Sequence, residues 1–472
     1  MNDAGDPSRA LRLSVYALLV ALSTGAMLGR IMAVTSVDVI AIEKQRFREG
    51  RKDWALQRPF LSANDRSRFA TVRSLVEQGT YQIDDVIQER GWDTIDMVKH
   101  EGWDGKPHLY SSKPPLFATI MAGEYWLINR LTGATLGDYP YEVGRFMLVT
   151  FNVLPLLVYF GVLALLAERL GTSDWSRLFM FSGAAFGTFL TTFAVAINNH
   201  LPAAVCTVIV LWALVRIWYD GERRLRYFVL AGLFSAAAVT FELPALSLAA
   251  LTAAVLLYKC PRQTLVGFAP PAVLVAAAFF GTNYLAHGSL RPPYMHRSET
   301  DPADNWYDYS YERGGKVRDS YWRDPVGIDR GEPSAALYVL HATVGHHGIF
   351  SLTPIWLLSV WGIYLWWQRG QGELAAFIGL LSLVCLTFYL ARPELDRNYG
   401  GMTSGFRWMF WFAPLWLVAL LPAAERMACC IWGRGIALLL LAASVMSASY
   451  PTWNPWTHPW LWNLLDSLGV AV

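Results

Sequence analysis

The sequence predicts an all-α polytopic membrane protein. Of its 472 residues, 54% are hydrophobic and 16% are charged, a composition too apolar for a disordered chain or an ordinary soluble enzyme. Several stretches have the length of about 20 mostly apolar residues that a helix needs to cross a bilayer. Basic residues (39) almost balance acidic ones (37), so nucleic acid is not an expected partner.

Apolar stretches along the chain predict about eleven crossings, each near the length that a bilayer requires. The first, residues 13–34, has a basic flank like a signal peptide, but no convincing small-residue cleavage site follows, so we interpret it as an uncleaved anchor. Residues 227–258 are too long for one crossing and predict two short helices hinged at Glu242 and Pro244. The other stretches are residues 144–166, 178–197, 201–215, 264–285, 348–367, 374–390, 408–421 and 435–449.

Lys and Arg concentrate in the short connections, which therefore face the cytoplasm by the positive-inside rule. With a cytoplasmic N-terminus, residues 36–143 form a first outer loop, residues 286–336 form a second, and the C-terminus lies outside. These connections stay on one side only if residues 114–131 do not cross, so we predict that this apolar stretch lies along the outer surface. The chain, residues 1–472, is thus expected to be one domain in the cell (inner) membrane. The basic residues are Arg169, Arg177, Arg223, Arg224, Arg226, Lys259, Arg262, Arg369, Arg426 and Arg434.

The cysteines do not predict a disulfide in the outer loops. Cys206 and Cys385 fall in apolar stretches, whereas Cys260, Cys429 and Cys430 fall in predicted cytoplasmic turns. The last two are adjacent, but no second Cys or His pair at zinc-finger spacing accompanies them, so no metal site is predicted.

The outer loops hold most of the ionisable residues and are the expected place for chemistry. The sequence lacks a phosphate-binding G-x-x-x-x-G-K-[ST] loop, a G-x-G-x-x-G turn after a strand, an H-E-x-x-H zinc motif and the Asp-x-Asp that holds a nucleotide-sugar metal. A nucleotide-linked donor is therefore not expected.

Asp65 opens a predicted amphipathic helix in the first outer loop. Apolar residues recur at helical spacing over residues 66–79, so this helix could lie on the membrane surface. Two interpretations of Asp65 are open: an N-cap that accepts hydrogen bonds from the first turn, or a functional carboxylate.

A second motif precedes residues 114–131. The run from Tyr110 to Leu116 reads Tyr-Ser-Ser-Lys-Pro-Pro-Leu, and Arg145 opens the following span. An acidic residue opening a helix, then Lys-Pro-Pro-Leu, then this arginine resembles the first outer loop of lipid-linked-sugar glycosyltransferases. The similarity is to the aminoarabinose lipid A transferase family and the wider protein O-mannosyltransferase group, which share the GT-C fold. It is strongest over residues 64–145.

The similarity returns near the end of the chain. Asn398-Tyr399-Gly400-Gly401 followed by Gly405-Phe406-Arg407 resembles a Gly-Gly and Gly-x-Arg segment before a late helix in related bacterial membrane glycosyltransferases. The resemblance implies a GT-C-like fold with surface helices in the first outer loop.

It also implies roles for single residues. Asp65 corresponds to the catalytic carboxylate and Lys113 to the lysine that contacts the donor phosphate. Arg145, Asn199, Tyr399 and Arg407 are the further substrate-binding candidates that the matched segments supply. A polyprenyl-phosphate leaving group is already a stable anion, so it needs cations such as Lys113 and Arg407 and no general acid. One carboxylate is enough to deprotonate an acceptor hydroxyl.

The chain departs from the family at three positions. Arg66 stands where a Glu often follows the Asp, Ser112 where a Glu often precedes the Lys, and Asn199 where an acid ends a later span. These departures leave the sugar, and whether the protein is active, undecided.

Histidines and one buried acid remain as further candidates. His341, His346 and His347 precede an apolar stretch; adjacent histidines on a helix point about 100° apart, so hydrogen bonding to a headgroup or phosphate fits His346 and His347 better than a shared metal. Glu242 either has a structural partner or lines the site.

The sequence thus predicts a glycosyltransferase that moves a sugar from a polyprenyl-phosphate donor to a lipid, glycan or protein acceptor on the outer face, with Asp65 as base. The expected partners are the lipid-linked donor, membrane lipids and the acceptor. The sequence does not decide whether a divalent cation is needed. The alternatives are a flippase or transporter of lipid-linked sugar and a catalytically silent GT-C-like scaffold.

Overall fold

The computed structural model describes residues 7–33, 48, 50, 60–298, 300–451 and 454–470. Of the predicted first outer loop, residues 36–47, 49 and 51–59 lie outside this described part. The described chain is mostly helical, and seven of its helices are long and apolar enough to cross a membrane. The prediction of a helical membrane protein is confirmed at this level. The seven helices are Ser8–Ala33, Pro140–Leu170, Asp174–Val195, His200–Trp218, Pro261–His287, Gly372–Leu390 and Ile431–Ser449.

Other predicted crossings correspond to shorter or bent helices. Arg407–Ala419 and Leu421–Met427 are long and apolar enough to cross a membrane only if they are taken together, and the chain bends by 49° between them. Leu225–Phe241 and Leu243–Lys259 are shorter apolar helices, and Trp356–Gln368 is a helix of 13 residues. The remaining helices of the described chain are Ala63–Glu77, Asp84–Gln88, Pro115–Thr132, Ala335–Thr343, Ile349–Leu352 and Trp460–Ser467.

Prolines shape the longest helices. Wide π-helical turns at Val149–Val153 and Thr264–Phe268 directly precede the helical segments that begin with Leu154-Pro155 and Ala269-Pro270. A proline inside a helix lacks the N–H donor and crowds the carbonyl four residues earlier, and a π turn makes room for it. The helices therefore continue through the prolines.

The predicted hinge at Glu242 is confirmed. Leu225–Phe241 ends at Glu242, whose backbone is extended (φ −131°, ψ 108°), and a 3₁₀ turn at Leu243–Ala245 leads into Leu246–Lys259. Pro244 lies in this turn and cannot donate a helical hydrogen bond. The chain thus reverses direction at Glu242.

The helix that contains Asp65 differs from its prediction in two ways. It spans Ala63–Glu77, and its N-cap is Ser62, whose hydroxyl accepts from the Asp65 N–H at 3.1 Å. The N-cap interpretation of Asp65 is therefore wrong, because Asp65 is the third helical residue. The helix is also buried at every position from Asn64 to Ser74, so it does not leave one face free for a membrane surface.

The helix Pro115–Thr132 matches the predicted stretch 114–131. Its buried face packs on Ala63–Glu77, and its other face exposes large apolar side chains. It is not among the seven helices of the described chain that are long and apolar enough to cross a membrane. Whether it lies along a membrane stays a prediction. The exposed apolar residues are Ile120, Trp126, Leu127 and Leu131.

Two β-hairpins were not predicted. The first pairs Met97–Glu101 with Pro107–Ser111, and the second pairs Ser310–Arg313 with Lys316–Asp319, both antiparallel. They lie in the first polar region (residues 60–139) and the second polar region (residues 288–334). Each strand has only four or five residues, too few for a clear alternating pattern in the sequence.

The two polar regions pack on each other. The Lys99 N–H donates to the Trp306 carbonyl (2.9 Å), Arg313 Nε donates to the Ile87 carbonyl (2.7 Å), and Trp322 Nε1 donates to the Ile95 carbonyl (2.9 Å). Segments more than 200 residues apart in the sequence thus cover the same end of the helices, which we call the polar end.

The basic connections gather at the other end, which we call the turn end. Helix His200–Trp218 has 19 residues and so separates its termini by about 28 Å. Its first residue lies near the polar regions, whereas its last contacts Lys259, which is 2.5 Å from Glu373. Further ion pairs join the turns there. They are Arg12 with Glu168 and Asp174 (2.8 and 2.7 Å), Arg169 with Asp220 (2.6 Å) and Arg369 with Glu425 (3.0 Å).

Candidate functional site

A cavity of about 1140 Å³ lies between the polar regions and the helix ends. Its wall is built from parts of the chain that are far apart in sequence: the start of helix Ala63–Glu77, the segment before Pro115, the start of helix His200–Trp218, the hinge at Glu242 and the segment that begins at Arg407. Each of these segments is a helix terminus or a loop, where polar groups are free to face a ligand.

The residues predicted to form one site fall in three places. Lys113, Asn199 and Arg407 line the cavity. Asp65 and Arg145 line a separate void of about 10 Å³. The histidines 346 and 347 and Tyr399 pack together elsewhere, as described below.

Lys113 is placed by the first hairpin. Strand Pro107–Ser111 ends just before it, and its backbone N–H donates to the Ser111 hydroxyl at 3.2 Å. Its Nζ donates to Asp96 Oδ1 at 3.0 Å. Burial lowers the pKa of Lys113, and the Asp96 carboxylate opposes that shift. The ammonium group therefore faces the cavity with one carboxylate behind it.

Arg68 was not predicted and is the most buried cation on the wall, 3% exposed. Its guanidinium donates to the side-chain oxygens of Asn64 and Asn199. Burial lowers the pKa of Arg68 to about 10, against the attraction of Asp65. The sequence held a signal for it, since Arg68 follows Asp65 by three residues and so shares its helix face.

Asn199, where the resemblance would place an acid, accepts a hydrogen bond from Arg68 and adds no charge to the wall. Neutral amides thus hold the Arg68 guanidinium.

Arg407 is held from several sides. Its Nε donates to the Gly400 carbonyl at 2.5 Å, its Nη1 lies 3.1 Å from His200 Nε2, and its guanidinium carbon lies 4.7 Å from the centre of the Trp456 ring. Gly400 has φ +98°, and a Cβ there would come within 2.6 Å of Arg407 Nε. Glycine is therefore required where the loop passes the arginine.

The cations of this wall influence one another. The charges of Arg68 and Arg407 both help to lower the pKa of Lys113, and Arg407 helps to lower that of Arg68. We call Arg68, Lys113 and Arg407 the cation cluster. Three further arginines of the wall are instead paired with carboxylates: Arg297 with Asp396 (3.6 Å), Arg392 with Asp396 (2.8 Å) and Arg323 with Asp308.

Asp65 is buried beside this cluster without lining the cavity. It is 1% exposed, and neither carboxylate oxygen has a hydrogen-bond partner among the described residues. Burial raises the pKa of Asp65 to about 7, while Arg68 and Ser62 act in the opposite direction. A carboxyl group of this kind can take up and release a proton near neutral pH.

His346, His347 and Tyr399 form a buried stack away from the cavity. The rings of His347 and Tyr399 are parallel with centroids 4.6 Å apart, and the two histidine Nδ1 atoms are 2.5 Å apart. Burial lowers the pKa of His346 to about 3 and that of His347 well below its usual range. Both rings are therefore neutral, and the stack supports the loop that carries Gly400.

Glu242, whose role the sequence left open, both lines the cavity and has a partner: its Oε1 lies 2.5 Å from His200 Nδ1. Within the described ranges, no group of three or more His, Cys, Asp or Glu side chains is placed to hold a metal ion.

Comparisons with known proteins found no match: no protein-family model, no curated protein and no solved structure matches this chain.

Proposed function

We propose that the protein is a membrane glycosyltransferase that moves a sugar from a polyprenyl-phosphate donor to an acceptor hydroxyl at the polar end. One observation carries the proposal. Arg68, Lys113 and Arg407 come from three distant segments and converge on one cavity of about 1140 Å³. Ligand cavities commonly measure about 300–1,000 Å³, so this one has room for a sugar phosphate together with part of an acceptor.

The cation cluster suits the leaving group of this reaction. When the bond between sugar and phosphate breaks, negative charge grows on the phosphate, and cations fixed beforehand stabilise it without reorganising. Guanidinium groups also bind phosphate oxygens through paired N–H donors. Because Arg68 is buried, its attraction for an anion is screened less than at the surface.

An apolar lip of the cavity fits the lipid tail. Leu243, Phe388 and Leu395 line the cavity and are each about two-fifths exposed. A prenyl chain can therefore leave the cavity between the Glu242 hinge and the end of helix Gly372–Leu390, toward the surface that lipid would cover.

Asp65 is the proposed base. Asp65 and Arg68 are three residues apart on one helix, so their side chains are neighbours. Asp65 does not line the cavity, so the proposal requires the wall at Arg68 to shift when the substrates bind. The carboxylate would then accept the proton of the acceptor hydroxyl, the hydroxyl oxygen would form the bond to the sugar, and the bond to the phosphate would break. Its pKa of about 7 matches this task at neutral pH.

We further propose the finer topology, with eleven crossings, the polar end outside and Pro115–Thr132 along the outer surface of the inner membrane. Single cysteines at the exposed positions Asp138 and Lys316 should be labelled from outside, and a cysteine at Arg224 from the cytoplasm, with native Cys429 and Cys430 replaced by serine. Labelling of Asp138→Cys from the cytoplasm alone would disprove this topology.

The function is tested with purified protein, sugar-loaded polyprenyl monophosphates and lipid, glycan and protein acceptors. Transfer by the wild-type protein that is lost in a Lys113→Ala, Arg407→Ala double variant is the expected result. Movement of the donor across a vesicle membrane without transfer would support the flippase alternative, and donor binding without either would support the scaffold.

A further inference from the structure

A chain of three buried or partly buried side chains leads from the hinge to the cation cluster. Glu242 Oε1 lies 2.5 Å from His200 Nδ1, and His200 Nε2 lies 3.1 Å from Arg407 Nη1. The side chains of His200 and Glu242 are only 4% and 8% exposed. No other described contact of Arg407 involves an ionised partner, since its Nε binds a backbone carbonyl.

The direction of these contacts fixes the proton on His200. A guanidinium has only donors, so His200 Nε2 must accept from Arg407 Nη1. A ring nitrogen that accepts carries no proton, so the single proton of the neutral ring lies on Nδ1, where it faces Glu242. Nδ1 and Oε1 are close but not aligned as a hydrogen bond, so it is the negative charge of the carboxylate beside Nδ1 that favours the one tautomer of His200 able to accept from Arg407.

The backbone at the hinge sets the direction in which the Glu242 carboxylate points. Glu242 lies at the point where the chain reverses between two helices, with an extended backbone that directs its carboxylate to the start of helix His200–Trp218. Tyr389 donates to its other oxygen at 3.4 Å. A hinge between apolar helices is a costly place for a carboxylate unless it serves a partner.

We propose that Glu242 and His200 are positioning residues that aim Arg407 at the phosphate of the ligand. Gly400 and His200 bind the Nε and Nη1 donors of the guanidinium from two sides, and Trp456 covers one face. The Nη2 donors have no hydrogen-bond partner among the described residues and remain for the phosphate. This inference rests on the proposed function, because it assigns a phosphate to the cation cluster.

The test measures binding of a short-chain prenyl monophosphate to the full-length protein in detergent by calorimetry. Glu242→Ala and His200→Ala should each weaken binding about tenfold, the loss expected for one charge-assisted hydrogen bond. His200→Gln should bind nearly as the wild type does, since its amide oxygen can accept from Arg407 without a carboxylate to set a tautomer. Glu242→Ala should then cause no further loss in the His200→Gln background.

Glu425→Ala is the matched control, because it removes a paired carboxylate at the turn end and should leave phosphate binding unchanged. Thermal unfolding of each variant shows whether it folds, and Glu242→Leu, which also removes the acceptor oxygen but keeps much of the side-chain volume, replaces Glu242→Ala if that variant does not.

The outcomes separate the two proposals. Wild-type binding that Glu242→Ala and His200→Ala leave unchanged would overturn the positioning role alone. An equal loss from Glu242→Ala in the wild-type and His200→Gln backgrounds would also overturn it, since Glu242 would then act without His200. No binding of the phosphate by the wild-type protein would remove the proposed function and this inference together.

Discussion

The cationic side chains at the two ends of the helices differ in the partners that hold them. At the turn end, Arg12 bridges Glu168 and Asp174, and Arg369 pairs with Glu425. At the polar end, Arg68 is held by two asparagines. Arg407 is held there by a backbone carbonyl, a neutral histidine and an aromatic face. Of the cation cluster, Lys113 alone has a carboxylate within 4.0 Å among the described residues.

We infer from this difference that the paired arginines of the turn end stabilise the fold, whereas Arg68 and Arg407 are available to bind an anionic ligand. The arginines of the turn end, whether buried as Arg12 is or exposed as Arg369 is, have carboxylate partners and need no further counter-ion. A buried guanidinium held only by neutral acceptors keeps most of its attraction for an anion. Arg68 and Arg407 thus have no ion-pair partner within 4.0 Å among the described residues, and in the proposed function a phosphate would pair with them.

The largest expected effect concerns Asp65, a buried carboxylate of the polar end whose oxygens have no hydrogen-bond partner among the described residues. Asp65→Asn should lower turnover by roughly a hundredfold or more, because an amide cannot accept the proton of the acceptor hydroxyl. Folding and donor binding should remain nearly intact, since Ser62 and not Asp65 caps the helix. Turnover, donor affinity and thermal stability must be measured on the same purified variant.

Near-normal turnover in Asp65→Asn would contradict the catalytic assignment. In that case Asp65 would have a structural role, like the paired carboxylates of the turn end. Glu168→Gln provides the matched control, because it makes the same change at a carboxylate that Arg12 already pairs.

The sequence predicted the helical membrane class and the hinge at Glu242 because both depend on local signals, namely apolar length and a proline beside a charge. It also predicted three of the cavity residues, Lys113, Asn199 and Arg407, although only through resemblance. The sequence analysis did not predict Arg68. Its spacing places it on the helix face of Asp65, but it becomes a cavity residue only when helix Ala63–Glu77 packs against the start of helix His200–Trp218. The burial of Asp65 has the same origin, since long-range packing sets it.

The second expected effect concerns the cation cluster. Lys113→Ala, Arg68→Ala and Arg407→Ala should each weaken donor binding by about 1–3 kcal/mol, the range for hydrogen bonds to charged groups. Binding is measured by calorimetry with the lipid-linked donor. Arg369→Ala, which removes a paired arginine at the turn end, should change donor binding little. Equal losses in all four variants would show that the two ends do not differ as we argue.

A third expectation follows from the raised pKa of Asp65. Its base form is lost as pH falls below about 7, so turnover should fall about tenfold per pH unit below that value and level off above it. Stability should show the opposite sign. The folded pKa lies above the usual 3.8, so its contribution to stability is full below about pH 4 and is lost as pH rises to about 7.

Both profiles should flatten in Asp65→Asn. A variant whose turnover keeps the wild-type pH profile would assign the titration to another group.

The smallest expected effect concerns Asn199, where an aspartate would give Arg68 a carboxylate partner of the kind that the arginines of the turn end have. Asn199→Asp places a carboxylate where the amide oxygen now accepts from Arg68, so Arg68 would gain an ionised partner. Donor binding should weaken by about 1 kcal/mol, because the new carboxylate competes with the phosphate for the same N–H donors. Thermal stability should hold or rise, since a buried cation gains its counter-ion. Donor binding that strengthens in Asn199→Asp would mean that the amide partners of Arg68 do not keep it available for an anion, and the contrast between the two ends would lose its functional meaning.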